Sequence, residues 1–160
     1  MIAVYPGTFD PITNGHLDII NRSSKIASKV IVAVLDNISK SSFFTSVERV
    51  EMISASIDLP NVEVRSFSGL LVDFAKEVGA NVVIRGLRTT FDFEYEFRYA
   101  LNNKRLDPKV ETLFLTTSAH VSYLNSGTVK EIASFGGDIS SMVPEIVEAY
   151  IKEKFLDKRR

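Results

Sequence analysis

Short runs of hydrophobic, mostly β-branched residues alternate along the chain with stretches whose apolar residues have helical spacing. The runs are Ile2–Tyr5, Val30–Leu35, Val62–Phe67, Val82–Ile84 and Thr112–Leu115. Roughly 15 to 30 residues separate successive runs, which is the length of a helix with its connecting loops. The alternation predicts an α/β protein with a single-domain Rossmann-like, doubly wound fold, a five-stranded parallel sheet and helices on both faces.

Residues that begin and end helices lie between these runs. Thr45 and Glu48 have the spacing of a capping box, which predicts a helix that continues to about Ile57. Further helices are predicted over 71–78, over 93–105 after Asp92, over 127–135 after Ser126, and from Pro144 to about Phe155. No repeat or linker interrupts the pattern, so we expect one domain over residues 1–160.

Composition excludes several classes of function. The 19 Lys and Arg nearly balance the 20 Asp and Glu, whereas proteins that coat nucleic acid or acidic membranes normally have a basic excess. The chain has no cysteine and two histidines, which excludes thiolate catalysis and disfavours a His-rich metal site. With no long apolar run and no basic leader, we expect a cytoplasmic protein without a membrane segment.

Glycine-rich and polar segments lie directly after the predicted strands. Gly-rich or polar segments come after four of the predicted strands, at 7–16, 36–44, 85–88 and 116–127. Because ligands of open α/β sheets bind at the carboxyl ends of the strands, these four loops are expected to meet at one crevice. Glycines and helix N-termini there suit the binding of an anion.

Three cations in these loops, Lys40, Arg85 and Arg88, suggest that the anion is a polyphosphate. The alternative is that they pair with the acidic residues of segment 92–96. The sequence has no GxxxxGK[ST] loop, no GxGxxG after the first strand and no GxSxG elbow. These absences exclude the P-loop, dinucleotide-binding and hydrolase schemes for that site.

The segments Gly7–Pro11 and Thr13–His16 resemble the first motif of the nucleotidyltransferase superfamily. The form Thr-Asn-Gly-His is similar to that of the bacterial phosphopantetheine adenylyltransferases. Other segments agree with that family in order and spacing: Lys40, 44–49, 84–88, 92–96 and 129–131.

The resemblance implies a role for individual residues. His16 contacts the ATP phosphates, Lys40 and Arg85 face the phosphate of 4′-phosphopantetheine, and these three form the catalytic set. Leu71 borders the pantetheine arm, and Thr8 lies between the two substrates. The ATP side is implied to comprise Thr8, Phe9, His16, Gly86, Leu87, Arg88, Glu96, Val121, Ser122, Tyr123, Leu124, Asn125, Ser126 and Gly127.

The implied reaction transfers AMP from ATP to 4′-phosphopantetheine and gives dephospho-coenzyme A and pyrophosphate. The nucleophile is already an anion, so no general base is needed, and alignment and charge neutralisation carry the chemistry. Mg²⁺ is implied on the triphosphate, with no metal ligand from the protein. The resemblance also implies a homohexamer and inhibition by coenzyme A.

One segment departs from the family pattern. Asn125 and Gly127 stand where relatives usually have serine or threonine, while Ser126 keeps the central hydroxyl, so altered ATP affinity is expected. Three alternatives stay open: a sister nucleotidyltransferase with another phosphate acceptor, a non-catalytic nucleotide sensor, and a small RNA-binding domain. Charge balance disfavours the last.

Overall fold

A computed structural model describes residues 1–37 and 41–158. The strands are β1 (Ile2–Gly7), β2 (Lys29–Leu35), β3 (Val62–Phe67), β4 (Val82–Leu87) and β5 (Glu111–Thr116). The helices are α1 (Asn14–Ile26), α2 (Ser46–Ala55), α3 (Leu71–Glu77), α4 (Thr90–Leu106), α5 (Ser126–Ser134) and α6 (Glu145–Lys158), with a short 3₁₀ turn at Ala119–Val121. None of the helices within the described ranges has the length and hydrophobicity needed to cross a bilayer.

The five strands form one sheet in the order β3-β2-β1-β4-β5, and all neighbouring pairs are parallel. The chain moves from β1 outward to β2 and β3, and then returns to the other side of β1 to build β4 and β5. This reversal places a topological switch point between β1 and β4. Ligand crevices of such sheets lie at this point, beyond the carboxyl ends of the strands.

The two faces of the sheet bury different side chains, because successive residues of a strand point to opposite faces. On one face, Ala3 and Tyr5 of β1 belong to a large cluster with residues of α1, α2, α5 and α6. On the other face, Val4 packs with Phe74 and Ala75 of α3. The prediction of a five-stranded parallel sheet covered by helices on both faces is therefore confirmed.

Three local predictions need correction. Arg85 does not lie in a loop, because β4 pairs with β5 as far as Leu87, with Arg85 opposite Phe114. Helix α4 begins earlier than expected, since the Thr89 hydroxyl accepts the Asp92 amide hydrogen and caps the helix from that position. At α5 the cap is Asn125, and Ser126 is the first helical residue.

Candidate active site

A cavity of about 270 Å³ opens at the carboxyl ends of β1 and β4, at the switch point of the sheet. Its lining comes from β1 and the loop after it, from α1, from β4 and α4, from the residues that follow β4 and β5, and from the start of α5 with the two residues before it. The lining residues are Tyr5, Pro6, Gly7, Phe9, Thr13, Gly15, His16, Ile19, Arg85, Gly86, Arg88, Asp92, Glu96, Thr117, Leu124, Asn125 and Ser126.

The loop after β1 folds back over its own strand. Phe9 has a positive φ of 49°, an uncommon conformation for a bulky side chain, and its ring lies against Gly7. A Cβ atom at position 7 would stand 2.8 Å from that ring, so any side chain here would displace the ring. The Phe9 ring also makes an edge contact with the His16 ring, with centroids 5.1 Å apart, and thereby forms one wall beside the imidazole.

His16 is held in one orientation by the start of α1. Thr13 caps the helix, and its backbone amide donates to Nδ1 of His16 over 3.0 Å. An imidazole nitrogen that accepts an amide hydrogen carries no proton of its own, so Nε2 is the protonated nitrogen of the neutral ring. Burial, and next the positive charge of Arg88, lower the pKa of His16 to about 4. At neutral pH the site therefore contains a neutral imidazole that offers one N–H at Nε2.

Arg85 crosses the cavity from the end of β4 to α4. Its Nε donates to Oε2 of Glu96, its Nη2 donates to Oε1 over 2.6 Å, and its Nη1 donates to the Pro6 carbonyl over 3.0 Å. Both side chains are mostly shielded, with 25% of Arg85 and 13% of Glu96 exposed. The guanidinium is thus fixed on two elements, and its charge is balanced by one carboxylate.

Arg88 lies toward α5. Its Nη1 donates to the Leu124 carbonyl over 2.9 Å, and its Nε and Nη2 donate to the two carboxylate oxygens of Asp92. Burial opposes ionisation of Asp92, but hydrogen bonds from Arg88 outweigh it and hold the pKa of this carboxyl below its usual range. The pairing with segment 92–96 that the sequence left open does occur for both arginines, and the carboxylates concerned lie in the cavity.

The N-terminus of α5 faces the same cavity through Asn125 and Ser126. Oδ1 of Asn125 accepts the Thr128 amide hydrogen over 2.8 Å, and the Ser126 hydroxyl donates to the Pro11 carbonyl over 2.7 Å. A Cβ atom at Gly127 would stand 3.2 Å from the Asn125 oxygen, so the glycine gives room for this cap. A helix start with its positive dipole end toward a cavity favours an anion there.

Asp10 ties the loop after β1 to two neighbouring elements. Its carboxylate accepts the amide hydrogens of Phe43 and Phe44, each over 2.8 Å, and Lys130 of α5 donates to it over 3.1 Å. Arg49, which is almost fully buried, donates to the Thr8 carbonyl over 2.7 Å. These hydrogen bonds hold the backbone of the loop after β1, which lies beside the cavity.

Several residues that the resemblance implies for the site do not contact the cavity. Leu71, the first residue of α3, packs against the sheet core, and the exposed Thr8 directly follows β1. The other residues absent from the described lining are Leu87, Val121, Ser122, Tyr123 and Gly127. Lys40 lies outside the described residues.

Sequence reasoning missed Thr13 and Asp18 as residues that shape the site. The signal for Thr13 was present, since it stands three residues before His16 as a capping residue does, with histidine in place of the usual glutamate. Asp18 accepts the backbone and hydroxyl hydrogens of Ser118 over 2.9 and 2.7 Å. It thereby joins α1 to the segment after β5, a contact between distant residues that no local pattern predicts.

Every acidic side chain in the described lining of the cavity is paired with an arginine. Both carboxylates of the lining, Asp92 and Glu96, are already bonded to arginines. Among residues 1–37 and 41–158, no three His, Asp or Glu side chains are grouped as metal ligands.

Comparison with known proteins places the chain among nucleotide-transferring enzymes. Residues 4–132 match the cytidylyltransferase-like family. The chain is 57% identical over 154 residues to the phosphopantetheine adenylyltransferase of Clostridium tetani, covering 95% of this chain and 96% of that protein. It is 52% identical over 159 residues to the phosphopantetheine adenylyltransferase of Lachnoclostridium phytofermentans, covering 99% and 98%.

A more distant likeness confirms the fold. The structure of a bifunctional NMN adenylyltransferase/ADP ribose pyrophosphatase from Francisella tularensis superposes with a TM-score of 0.72 at 15% identity. The match covers 98% of this chain and 51% of that one. At this level of identity the likeness concerns the arrangement of the backbone alone.

Proposed function

We infer that this chain catalyses an adenylyl transfer, because it belongs to the cytidylyltransferase-like family and within it to the phosphopantetheine adenylyltransferases. The enzyme transfers the adenylyl group of ATP to 4′-phosphopantetheine, a step of coenzyme A biosynthesis. The products are dephospho-coenzyme A and pyrophosphate. The observation in the site that best supports this function is the meeting of a neutral His16, Arg88 and the start of α5 at one cavity.

These three features suit the triphosphate of ATP. The Nε2 hydrogen of His16 donates to a phosphate oxygen as charge develops on it in the transition state. Arg88 supplies positive charge near the start of α5, and the helix adds the positive end of its dipole. Phe9, Gly86, Glu96 and the segment 121–127 complete the ATP side in this proposal.

The acceptor phosphate attacks the α-phosphorus in line with the departing pyrophosphate, without a covalent intermediate. The attacking oxygen is already an anion at neutral pH, so no side chain has to remove a proton from it. Catalysis then consists of alignment and of neutralising the charge spread over the phosphate oxygens. Arg85 and Lys40 hold the acceptor phosphate, Thr8 lies between the substrates, and Leu71 borders the pantetheine arm.

Mg²⁺ bound to the ATP would neutralise part of the triphosphate charge. We expect no protein ligand for the ion, because Asp92 and Glu96 of the described lining are bonded to Arg88 and Arg85. His16 and the two arginines bind and orient phosphate oxygens of the substrates.

The wider setting of the enzyme is also proposed. We expect residues 1–160 to act as one nucleotidyltransferase domain in the cytoplasm, where ATP is available, and coenzyme A to inhibit by occupying the same crevice. We also expect a homohexamer. Helix α4 supports an assembly, because none of its residues is buried and its exposed side chains include Phe91, Phe93 and Phe97.

Product analysis tests the reaction directly. The protein is incubated with ATP, Mg²⁺ and 4′-phosphopantetheine, and dephospho-coenzyme A is sought by mass spectrometry while ATP binding is measured by calorimetry. Formation of dephospho-coenzyme A supports the enzyme. Binding of ATP without any product would favour the nucleotide sensor instead.

A further inference from the structure

Arg49 of α2 is an almost fully buried cation, with 1% of the residue exposed, and the proposed reaction gives it no role. We propose that Arg49 is a positioning residue, which holds the Thr8 carbonyl and thereby fixes the loop that carries Phe9 against His16. This inference rests on the proposed function, in which His16 donates to a phosphate oxygen in the transition state.

The guanidinium of Arg49 lies where β1 and β2 separate. The parallel pairing of the two strands ends at Gly7 and Val34. Nη1 of Arg49 donates to the carbonyl of the next residue on each side, to Thr8 over 2.7 Å and to Leu35 over 2.9 Å. One nitrogen atom therefore joins the ends of the two strands after their own pairing has stopped.

The remaining contacts hold the guanidinium of Arg49 in this place. Nε donates over 3.3 Å to the carbonyl of Thr45, the residue that caps α2. The carboxylate of Asp36 lies 3.8 Å from Nη2, and nearly half of that side chain is exposed. An ion pair so long and so open to water contributes little, so the carbonyl groups are the main partners of the buried charge. A guanidinium suits them because its N–H groups point in fixed directions, and a lysine would keep the charge but not this arrangement.

The bond from Arg49 determines how the chain enters Phe9. The Thr8 carbonyl belongs to the peptide group that joins Thr8 to Phe9, so Arg49 sets the plane of that group. Phe9 has a φ of 49°, and such a conformation of a bulky residue persists only where the surroundings impose it. Its ring makes edge contacts with the rings of Tyr5 and His16. When the carbonyl is released, the peptide group can rotate, the backbone of Phe9 relaxes, and the ring leaves the imidazole.

Loss of this wall beside the imidazole affects the rate more than the binding of ATP. Arg88, which is proposed to bind the triphosphate, is held by Asp92 and Leu124 on other elements. The Nε2 hydrogen of His16, in contrast, has to meet an oxygen whose charge develops in the transition state. Small misplacements of such a group cost much of the rate, so loss of the Arg49 guanidinium should appear in kcat.

The test compares R49K and R49M with the wild type and with M52A. R49K is expected to lower kcat about tenfold and R49M about 100-fold, while the dissociation constant of ATP, measured by calorimetry, stays within about threefold. R49K decides the question if R49M does not fold. M52A is the matched control, because Met52 is a fully buried core residue of the same helix. Its truncation weakens packing and leaves the Arg49 bonds in place, so its kcat should stay within about twofold of the wild-type value.

¹⁵N NMR of the His16 ring gives a readout that does not depend on turnover. Burial is the main cause of the low pKa of His16, about 4, and Arg88, the second cause, is unchanged in the variants. A displaced Phe9 ring admits water, so the His16 pKa in folded R49K is expected to rise toward 6.5, whereas in M52A it should equal that of the wild type.

Three results would each overturn the inference: an unchanged kcat in R49K, an equal loss of kcat in M52A, or an unchanged His16 pKa in R49K. Failure of the proposed function is distinguishable, because the wild type itself would then form no dephospho-coenzyme A, whatever the His16 titrations show.

Discussion

Nδ1 of His16 accepts the backbone amide hydrogen of Thr13 over 3.0 Å. This single contact sets the tautomer of the imidazole, because it leaves Nε2 as the nitrogen that carries hydrogen. The same three-residue spacing that caps α1 thus prepares a hydrogen-bond donor at the entrance of the helix. The residues that cap α1, Thr13 and His16, are therefore the same residues that orient the imidazole in the candidate active site.

Replacement of His16 by alanine removes that donor from the proposed transition state. Loss of one well-placed donor to developing charge costs about 100- to 1,000-fold in kcat, with a smaller effect on the KM values. Steady-state pyrophosphate release measures both constants. His120→Ala is the control, since His120 is exposed in the 3₁₀ turn, and it should behave as the wild type. Equal losses in both variants would contradict the assigned role.

The protonation state of His16 gives a second prediction. Its pKa of about 4 lies below the ordinary value of 6.5, so the ligand-free ring stays neutral from pH 8 down to about 5. Between these two pKa values the unfolded chain binds more protons than the folded one, so His16 lowers the free energy of unfolding as the pH falls from about 7 to 4. ¹⁵N NMR of the ring reports both tautomer and titration. A ring that titrates near 6.5, or that carries its hydrogen on Nδ1, would contradict the structure.

The unusual sequence before α5 predicts a functional helix cap. Asn125→Ala removes the acceptor of the Thr128 amide hydrogen and should lower the free energy of unfolding by about 1 kcal/mol. Because this helix start is proposed to face the triphosphate, the KM for ATP should rise as well. Asn125→Ser, which keeps a capping oxygen, should retain both properties. Urea denaturation and ATP titrations measure them, and a serine variant as impaired as the alanine variant would show that capping is not the cause.

Asp10 is expected to matter chiefly for stability. Asp10→Ala leaves the Phe43 and Phe44 amides and the Lys130 ammonium without their shielded acceptor. Breaking a largely buried pair of this kind costs about 3 kcal/mol. Asp58→Ala, at an exposed position, should change the free energy of unfolding by less than about 0.5 kcal/mol. Chemical denaturation compares them, and equal small effects would mean that Asp10 does not hold the loop.

The sheet could be predicted from sequence because buried parallel strands are short apolar runs, and such runs are local. The end of β4 could not, since Arg85 and Gly86 are unlike strand residues and are held in the strand by pairing with Phe114 and Leu115 of β5. That pairing joins residues far apart in the chain. Only the tertiary structure supplies it.

The candidate site was predictable to a similar extent. Strand order brings His16, Arg85 and Arg88 to one cavity, and the rule for open α/β sheets indicates this from their positions after strands. The partners of the arginines were not predictable, because Asp92 and Glu96 lie on one helix and either could serve. Rotation of α4 against β4 decides that Glu96 meets Arg85 and Asp92 meets Arg88.

Pyrophosphate release with different acceptors distinguishes the proposed reaction from its alternatives. The wild-type protein is given ATP and Mg²⁺ with 4′-phosphopantetheine, with unphosphorylated pantetheine, or with nicotinate mononucleotide. Release is expected with phosphopantetheine alone, because the attacking group is a phosphate carried by a pantetheine arm. Release with nicotinate mononucleotide but not with phosphopantetheine would contradict the proposed acceptor. Absence of release with all three compounds would contradict the proposed adenylyl transfer itself.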